Sequence, residues 1–491
     1  MFESDFLTTT PASKQLYREL MARVAELLCS SLPDHSYSGK SPSALSALID
    51  PEFLPDAGIA SDAVFDKPGT IISNSVVVGH PNTAAHLHCP PLLAALAAEA
   101  AICALNQSMD SFDQAPIATI LEQKFVQWLT AEAGFPAGAG GTFTAGGTQS
   151  NYMGLLLARD AFLKSRFHWL AQKRGLPPEA ARMRVLCSEV AHFTVEKSVV
   201  QLGLGTDAVV RVSVDDEFRM RPEGLRTTLD DMRSKDLLPF AIVATAGTTD
   251  FGSVDPLPEI AALAYSAGAW LHVDAAYGGA LLFSQRHRKR LEGIASADSV
   301  GIDFHKLFWQ PIPASSLLLR DARHFEFIEL HADYLNPEIH EEHGIPNLVT
   351  NSLVTTRRFD VLKLWLSFQM MGGRKLSAMI DRTMELAVHA AGAVSRTSTL
   401  QLVHGASLST VVFRYVPARR GVDEDGLNAA LRQRLFDRGL AVVGHTRVRG
   451  RQCLKVTCMN PAVTEAQMEA LVCAIDEQGR QLEAEWGSGS V

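Results

Sequence analysis

The chain has 491 residues, of which 47% are hydrophobic, so it is long enough for two or three domains around a sizeable core. Its formal net charge of −9, without a long basic block, argues against nucleic acid or an anionic membrane as a partner. Seven scattered cysteines and an N-terminus without an apolar leader predict a soluble protein of the reducing cytoplasm.

The first part of the chain is predicted to be mostly helical. Thr10 and Pro11 have the character of a helix cap and a first helical turn, and leucines follow at helical spacing. Further helices are predicted over 90–110 and 116–133.

From about residue 141, short apolar strands alternate with helices. Such alternation is typical of a mostly parallel sheet covered by helices, so the predicted fold class is α/β. The clearest strands are predicted at 184–188, 208–213, 240–246, 269–275, 299–304 and 315–320.

A smaller α+β domain is predicted after a hinge at Gly372 and Gly373. Its predicted strands are 408–415, 440–443 and 454–458, and its predicted helices are 425–437 and 464–480. The predicted division of the chain is 1–115, 116–373 and 374–491.

Two residues at the ends of strand-like apolar runs carry complementary chemistry. Asp274 ends the run that begins at Trp270, and Lys306 follows the run that begins at Ser299. Pyridoxal phosphate needs a lysine for its Schiff base and an acid that keeps its pyridine nitrogen protonated. A buried salt bridge would also explain this pair, but it would not explain the features that follow.

A glycine turn precedes a predicted helix. Gly146 and Gly147 follow an apolar stretch, and Thr148 comes just before residues at helical spacing. A turn of this kind points backbone N–H groups at an anion, although Gly-Gly-Thr is more often an ordinary turn. The pattern is neither a Walker A sequence nor a G-x-G-x-x-G, so the predicted anion is the phosphate of pyridoxal phosphate.

Two other strand ends carry polar groups. His192 follows the strand-like run Met183–Cys187, where an imidazole either lies on a cofactor ring or is an ordinary satisfied histidine. The run Phe240–Thr249 ends in a glycine and two hydroxyls. An amine, an acid, an imidazole and an anion cradle on successive strand ends favour a cofactor site over coincidence.

These residues resemble the group II pyridoxal-phosphate decarboxylases. Ser299-Val300 followed by Lys306 matches the lysine signature of that family, and 272–280 and 297–299 fit as well. The resemblance covers roughly residues 75–460. Within the family, the chain is most similar to the branch of diaminobutyrate decarboxylases and siderophore-pathway lysine decarboxylases.

The resemblance implies a seven-stranded fold of the aspartate aminotransferase type and a homodimer with shared active sites, to which segment 1–115 contributes. It places a histidine on the cofactor ring and the glycine turn at the phosphate. The residues implied to bind the cofactor are Lys306, Asp274, His192, Gly147, Thr148, Thr249 and His305.

Tyr334 matches the loop tyrosine that, in this family, protonates the substrate carbon after carbon dioxide leaves. Tyrosine rather than phenylalanine at this position favours decarboxylation over an oxidative, aldehyde-forming reaction. Where aromatic amino acid decarboxylases carry an asparagine that helps to hold the phosphate, this chain has Asp303. A carboxylate beside a phosphate is unfavourable unless it is protonated or paired, so Asp303 is not assigned as a phosphate ligand.

The predicted substrate is a basic L-diamino acid, with 2,4-diaminobutyrate first and lysine or ornithine next. A carboxylate that faces the distal ammonium would contribute roughly 1.5–3 kcal/mol. Asp110 and Asp113 are the carboxylates proposed for this role, and the open alternative is that they are ordinary surface or helix-capping acids. The candidate substrate-binding residues are His88, Asp110, Asp113 and Lys455, with Glu341 and Glu342 as less favoured acids.

Three alternatives stay open. The chain could be a glutamate or aromatic amino acid decarboxylase, or a lyase or aminotransferase on the same fold. From another class, His80, His86, His88 and Cys89 could form a metal site, but no further ligand completes a recognised spacing and no metal is predicted.

Overall fold

A computed structural model describes residues 5–486, apart from residues 50, 52, 60, 338 and 340–342. The chain forms two compact units. One consists of residues 1–86, 386–405 and 411–491, and the other of residues 87–385 and 406–410. These limits lie at other residues than the predicted boundaries at 115 and 373, and the three-part division stays a prediction.

Helices begin where the local sequence supplies caps and prolines. The Thr10 side chain accepts a hydrogen bond from the Ser13 N–H, and Pro11 occupies the first turn, as the sequence predicts. Gly372 interrupts the longest helix with φ 70° and ψ 159°, a conformation that favours glycine. The helices are α1 (Pro11–Ser31), α2 (Pro42–Ser46), α3 (Ser61–Ser73), α4 (Leu93–Leu105), α5 (Pro116–Glu132), α6 (Gly147–Phe167), α7 (Ala171–Arg174), α8 (Thr194–Gln201), α9 (Pro222–Ser234), α10 (Leu257–Ala267), α11 (Val361–Arg396), α12 (Glu424–Asp437) and α13 (Glu465–Trp486).

Most of the strands lie close to the apolar runs that predict them. Their bounds are β1 (Thr83–Ala84), β2 (Gly140–Thr144), β3 (Met183–Ser188), β4 (Val209–Val212), β5 (Leu238–Thr245), β6 (Trp270–Asp274), β7 (Ser299–Asp303), β8 (Ser315–Leu319), β9 (Leu400–Ser407), β10 (Thr410–Tyr415), β11 (Val442–Val448) and β12 (Arg451–Thr457).

The larger unit contains a seven-stranded sheet in the order β2-β8-β7-β6-β5-β3-β4. The five adjacent strands β7, β6, β5, β3 and β4 are parallel to one another, whereas β8 is antiparallel to both β7 and β2. The predicted α/β class with a mostly parallel seven-stranded sheet is therefore confirmed.

The centre of this sheet is buried on both faces. Every residue of β6, β7 and β8 is buried, and α6 buries Met153, Leu155 and Leu157 in the core beside the sheet. Strands covered on both faces are apolar without alternation, which explains why short continuous runs marked them in the sequence.

The other sheet has five strands in the order β1-β11-β12-β10-β9. Three of its strands match the predicted runs near 408–415, 440–443 and 454–458, but β9 was not predicted. The sequence of β9 includes Gln401 and His404, and several of its side chains are only half-buried. A partly exposed, polar strand lacks the apolar run on which the prediction depends.

Among the residues that the structure describes, no helix is long and apolar enough to cross a membrane.

Candidate active site

A pocket of about 230 Å³ lies in the larger unit, where several parallel strands end. All seven residues that the sequence predicts to bind the cofactor line this pocket, together with Asn151, Asp303 and other groups. The seven are Gly147, Thr148, His192, Thr249, Asp274, His305 and Lys306.

The parallel register explains why residues far apart in the sequence meet here. Thr245 of β5 pairs with Asp274 of β6, and Asp274 pairs in turn with Gly301 of β7. The carboxyl ends of these strands therefore share one edge of the sheet, where α/β proteins bind ligands. Lys306 follows β7 by three residues, and His192 follows β3 by four.

The Lys306 ammonium is held by a carboxylate at the end of β7. Its Nζ lies 2.9 Å from Oδ2 of Asp303, which is only 3% exposed. The Ser315 hydroxyl donates to Oδ1 of Asp303 over 2.7 Å, and the Nε2 atom of His305 lies 3.6 Å from Oδ2. Asp303 is therefore paired, which is the condition under which a carboxylate is tolerated near a phosphate site.

Asp274 is oriented by hydrogen bonds to both of its oxygens. The Asn151 amide donates to Oδ2 over 2.8 Å, and the Ala276 N–H donates to Oδ1 over 3.1 Å. These donors stabilise a carboxylate rather than a carboxylic acid. An ionised carboxylate at this edge of the pocket suits the protonated ring nitrogen of pyridoxal phosphate.

His192 lies in the pocket wall as a neutral imidazole. Burial lowers its pKa below the usual 6.5, against the opposing effect of the Asp274 charge. Its Nδ1 lies 2.9 Å from the Thr194 hydroxyl, and its ring packs against Phe193 with centroids 4.4 Å apart.

His305 has its ring orientation set by the backbone. Its Nδ1 lies 2.9 Å from the Ala314 carbonyl oxygen and 3.4 Å from the Ala314 backbone nitrogen. Burial lowers the pKa of His305, which favours the neutral ring. Burial, with a smaller contribution from His305, also lowers the pKa of His88.

The N-terminus of the 21-residue helix α6 forms one side of the pocket. The first N–H groups of a helix have no partner within it, and they attract an anion. A Cβ atom at Gly147 would lie 3.2 Å from both the Ala276 Cβ and the Asp303 Oδ2 atoms, so a side chain would crowd this cradle. Together with the amine, the acid and the imidazole, this donor set fits pyridoxal phosphate.

Asp110, Asp113 and Tyr334 are not among the described residues that line this pocket. Asp110 is buried and accepts from the Ser111 N–H, while Asp113 accepts from the Ser111 hydroxyl over 2.6 Å. Tyr334 lies on a loop with 90% of its surface exposed. The predicted roles of these three residues stay predictions.

The lining of this pocket does not bear on the predicted roles of Lys455, Glu341 and Glu342. Lys455 is buried on β12 of the other unit, opposite Gly444. Glu341 and Glu342 lie outside the described residues.

Cys89 does not have the character of a metal ligand. Burial raises the pKa of its thiol to about 12, and the thiol donates to the His305 carbonyl oxygen over 3.3 Å. A metal-bound cysteine is a thiolate, so this geometry disfavours the alternative of a site at His80, His86, His88 and Cys89. Among the described residues, no group of three or more metal-ligating side chains is found.

Sequence reasoning missed Asn151 as a site residue and gave Asp303 no positive role. Asn151 lies one turn into α6, and its contacts join residues more than 120 positions apart. No local signal marks such a contact. The position of Asp303, three residues before the lysine, could have indicated the ion pair.

Comparisons with known proteins agree with this geometry. Residues 42–416 match the model of the pyridoxal-dependent decarboxylase conserved domain. An L-2,4-diaminobutyrate decarboxylase of Rhizobium meliloti (strain 1021) is 42% identical over 97% of this chain and 94% of its own length. Another, from Acinetobacter baumannii, is 39% identical over 85% of this chain and 84% of its own length.

A solved structure is similar over nearly its whole length. It is the glutamate decarboxylase domain of diaminobutyrate-pyruvate transaminase and L-2,4-diaminobutyrate decarboxylase from Vibrio parahaemolyticus. The TM-score is 0.90 at 38% sequence identity, and the alignment covers 98% of this chain and 99% of that one.

Proposed function

Because the chain belongs to the family of pyridoxal-dependent decarboxylases, we propose that it removes the α-carboxylate of L-2,4-diaminobutyrate to give 1,3-diaminopropane and carbon dioxide. The observation that carries this proposal is the pocket that joins Lys306, Asp274 and His192 in a chain 42% identical to a diaminobutyrate decarboxylase. Lysine and ornithine are the next candidates, since they too carry a distal ammonium.

When bound, pyridoxal phosphate supplies an electron-accepting ring for the electron pair that the departing carboxylate leaves behind. We propose that Lys306 attaches the cofactor and that the Asp274 carboxylate holds its ring nitrogen protonated. His192 would contact the cofactor ring, while the α6 N-terminus with Gly147 and Thr148, which line the same pocket, would hold the phosphate. Thr249 and His305 complete the wall of the pocket.

The chain's own groups then control the substrate carbon. With the cofactor bound, the pocket would select decarboxylation by orienting the substrate so that its α-carboxylate is the group that leaves. We assign the return of a proton to this carbon to the Tyr334 hydroxyl, and a contact with the α-carboxylate to Lys455. Both assignments follow the resemblance to the family.

The distal ammonium is the feature that separates a diamino acid from other substrates. Asp110 and Asp113 are the groups proposed to receive it, and His88 is proposed as a further substrate-binding residue. A charge-assisted hydrogen bond to one carboxylate, roughly 1.5–3 kcal/mol, corresponds to about a 10- to 150-fold preference over an uncharged side chain. A cytoplasmic homodimer and a diamine destined for a siderophore are part of the proposal by resemblance alone.

A panel of substrates tests the proposal. We would measure kcat/KM for 2,4-diaminobutyrate, ornithine, lysine, glutamate and DOPA with the cofactor-loaded protein. We expect 2,4-diaminobutyrate to have the highest kcat/KM. Asp110→Asn or Asp113→Asn should reduce the ratio of its kcat/KM to that of DOPA, whose side chain is uncharged, by about tenfold. Turnover of glutamate or DOPA alone would refute the assignment of these acids as ammonium receptors.

A further inference from the structure

A chain of buried hydrogen bonds runs from the core of the sheet to Asp274. Trp270 Nε1–H donates to the Ser299 hydroxyl over 2.8 Å, and that oxygen lies 2.8 Å from Nδ1 of His272. Nε2 of His272 lies 2.9 Å from Oδ1 of Asn151, whose amide nitrogen lies 2.8 Å from Asp274. At each of these positions no more than 8% of the residue surface is exposed.

The chemistry of these groups determines which atom donates and which accepts in each of these hydrogen bonds. An ionised carboxylate can only accept, so the Asn151 nitrogen faces Asp274 and its oxygen faces His272. Nε2 of His272 must then carry hydrogen. Burial lowers the pKa of His272 to about 4, so its Nδ1 is unprotonated at neutral pH and accepts a hydrogen bond from the Ser299 hydroxyl.

A second branch leaves the same amide. The other N–H of Asn151 donates to the Thr194 hydroxyl over 2.9 Å, so this hydroxyl is free to donate its own proton onward. Nδ1 of His192 lies 2.9 Å from that hydroxyl, and the Thr194 N–H also points at Nδ1 over 3.4 Å. Nδ1 of His192 therefore accepts, and the hydrogen of the neutral ring lies on Nε2.

We propose that Asn151 is a positioning residue that acts on both cofactor-facing groups at once. Its amide orients the Asp274 carboxylate and, through Thr194, fixes the tautomer of His192. The buried hydrogen bonds from Trp270 through Ser299 and His272 prevent the amide from turning over. This inference rests on the roles proposed above for Asp274 and His192.

The fit of His272 supports a dedicated arrangement. A Cβ atom at Gly154, one turn after Asn151 on α6, would lie 2.6 Å from Nδ1 of His272. The helix thus contacts the imidazole ring directly, and Asn151 comes within reach of it on the same face.

The test compares two ligands that differ only at the ring nitrogen. Cofactor-free wild type and Asn151→Asp are titrated with pyridoxal phosphate and with its 1-deaza analogue, in which a carbon replaces that nitrogen. The substituted carboxylate has the same shape as the amide but offers no N–H groups to Asp274. We expect the dissociation constant of this variant for pyridoxal phosphate to rise by at least about tenfold, but that for the analogue to change by less than about threefold.

Two controls separate the possible failures. Asp274→Asn should abolish the preference for pyridoxal phosphate over the analogue, and if it does not, the proposed role of Asp274 is wrong. If Asp274→Asn abolishes the preference while Asn151→Asp retains it, the role of Asn151 alone is refuted. Asn428→Asp, a change at a buried asparagine that does not line the pocket, should leave both affinities unchanged.

Ser299→Ala covers the case in which Asn151→Asp does not fold. It removes the hydroxyl between Trp270 and His272 and leaves Asn151 intact. A fall of a few fold in the preference for pyridoxal phosphate over the analogue supports the proposed role of the buried hydrogen bonds. A preference equal to that of wild type contradicts it. Nitrogen NMR of histidine-labelled, cofactor-free wild type should show hydrogen on Nε2 of both His192 and His272; hydrogen on Nδ1 of either ring would overturn the proposal.

Discussion

Lys306 and Asp303 form an ion pair at the carboxyl end of β7, with Nζ 2.9 Å from Oδ2. The same carboxylate lies 3.2 Å from where a Cβ of Gly147 would be, beside the helix N-terminus that we assign to the phosphate. The buried Asp303 carboxylate therefore forms the ion pair with Lys306 and also places a negative charge next to the proposed phosphate site.

Asp303→Asn should bind pyridoxal phosphate more tightly than wild type does. The substitution removes a negative charge near the phosphate and keeps a side chain of the same size, so we expect a gain of roughly three- to tenfold. Fluorescence titration of the cofactor-free protein measures this. A tenfold loss of affinity would instead mean that the ion pair with Lys306 outweighs the repulsion.

Tyr334→Phe should lower kcat by about 100- to 10,000-fold, the range typical of general acid–base groups, with little change in KM. Because Tyr334 is 90% exposed, loss of its hydroxyl should not change thermal stability. We also expect an aldehyde product, formed with consumption of molecular oxygen. Steady-state kinetics with product analysis tests both expectations, and an unchanged kcat would remove Tyr334 from the mechanism.

Acid should destabilise the protein in part through His272. Its pKa is about 4 in the folded chain and near 6.5 when unfolded, so between these values the unfolded chain binds more protons. The contribution of His272 is complete above pH 6.5 and falls by about 1.4 kcal/mol per pH unit towards pH 4. His272→Gln should flatten the pH dependence of the unfolding free energy in urea, and an unchanged slope between pH 6.5 and 5 would contradict this.

Gly154→Ala should destabilise the larger unit. The added Cβ would lie 2.6 Å from Nδ1 of the buried His272, and overpacking of this kind typically costs about 1–3 kcal/mol. Gly373→Ala is the matched control, because a Cβ there meets nothing within 4 Å and should stabilise α11 by up to about 1 kcal/mol. Equal thermal midpoints for the two variants would show that the helix adjusts to the added methyl group.

The sequence predicted those parts of the site that stand next to strong local patterns. Asp274 and Lys306 follow buried apolar runs, and Gly147 opens a helix, so their places at the edge of the sheet could be inferred before any contact was known. The order of the strands could not, because a pairing such as that of β7 with β8 depends on the whole sheet.

The rest of the site depends on contacts that no local pattern records. Asn151 is an ordinary polar residue in a helix until β6 brings His272 and Asp274 to it, 121 and 123 positions away in the sequence. Asp110 and Asp113 both make hydrogen bonds with Ser111, so their predicted role in binding a diamino substrate also depends on more than local pattern and stays a prediction.

We assign decarboxylation of a diamino acid to the Lys306 pocket, and L-2,4-diaminobutyrate labelled with ¹³C at its carboxylate is the substrate with which to measure it. With the cofactor-loaded protein, we expect labelled carbon dioxide and 1,3-diaminopropane in equal amounts, and neither product with Lys306→Ala. Conversion of the substrate to a keto acid that retains the label, with transfer of its amino group, would refute this assignment and indicate an aminotransferase on the same fold.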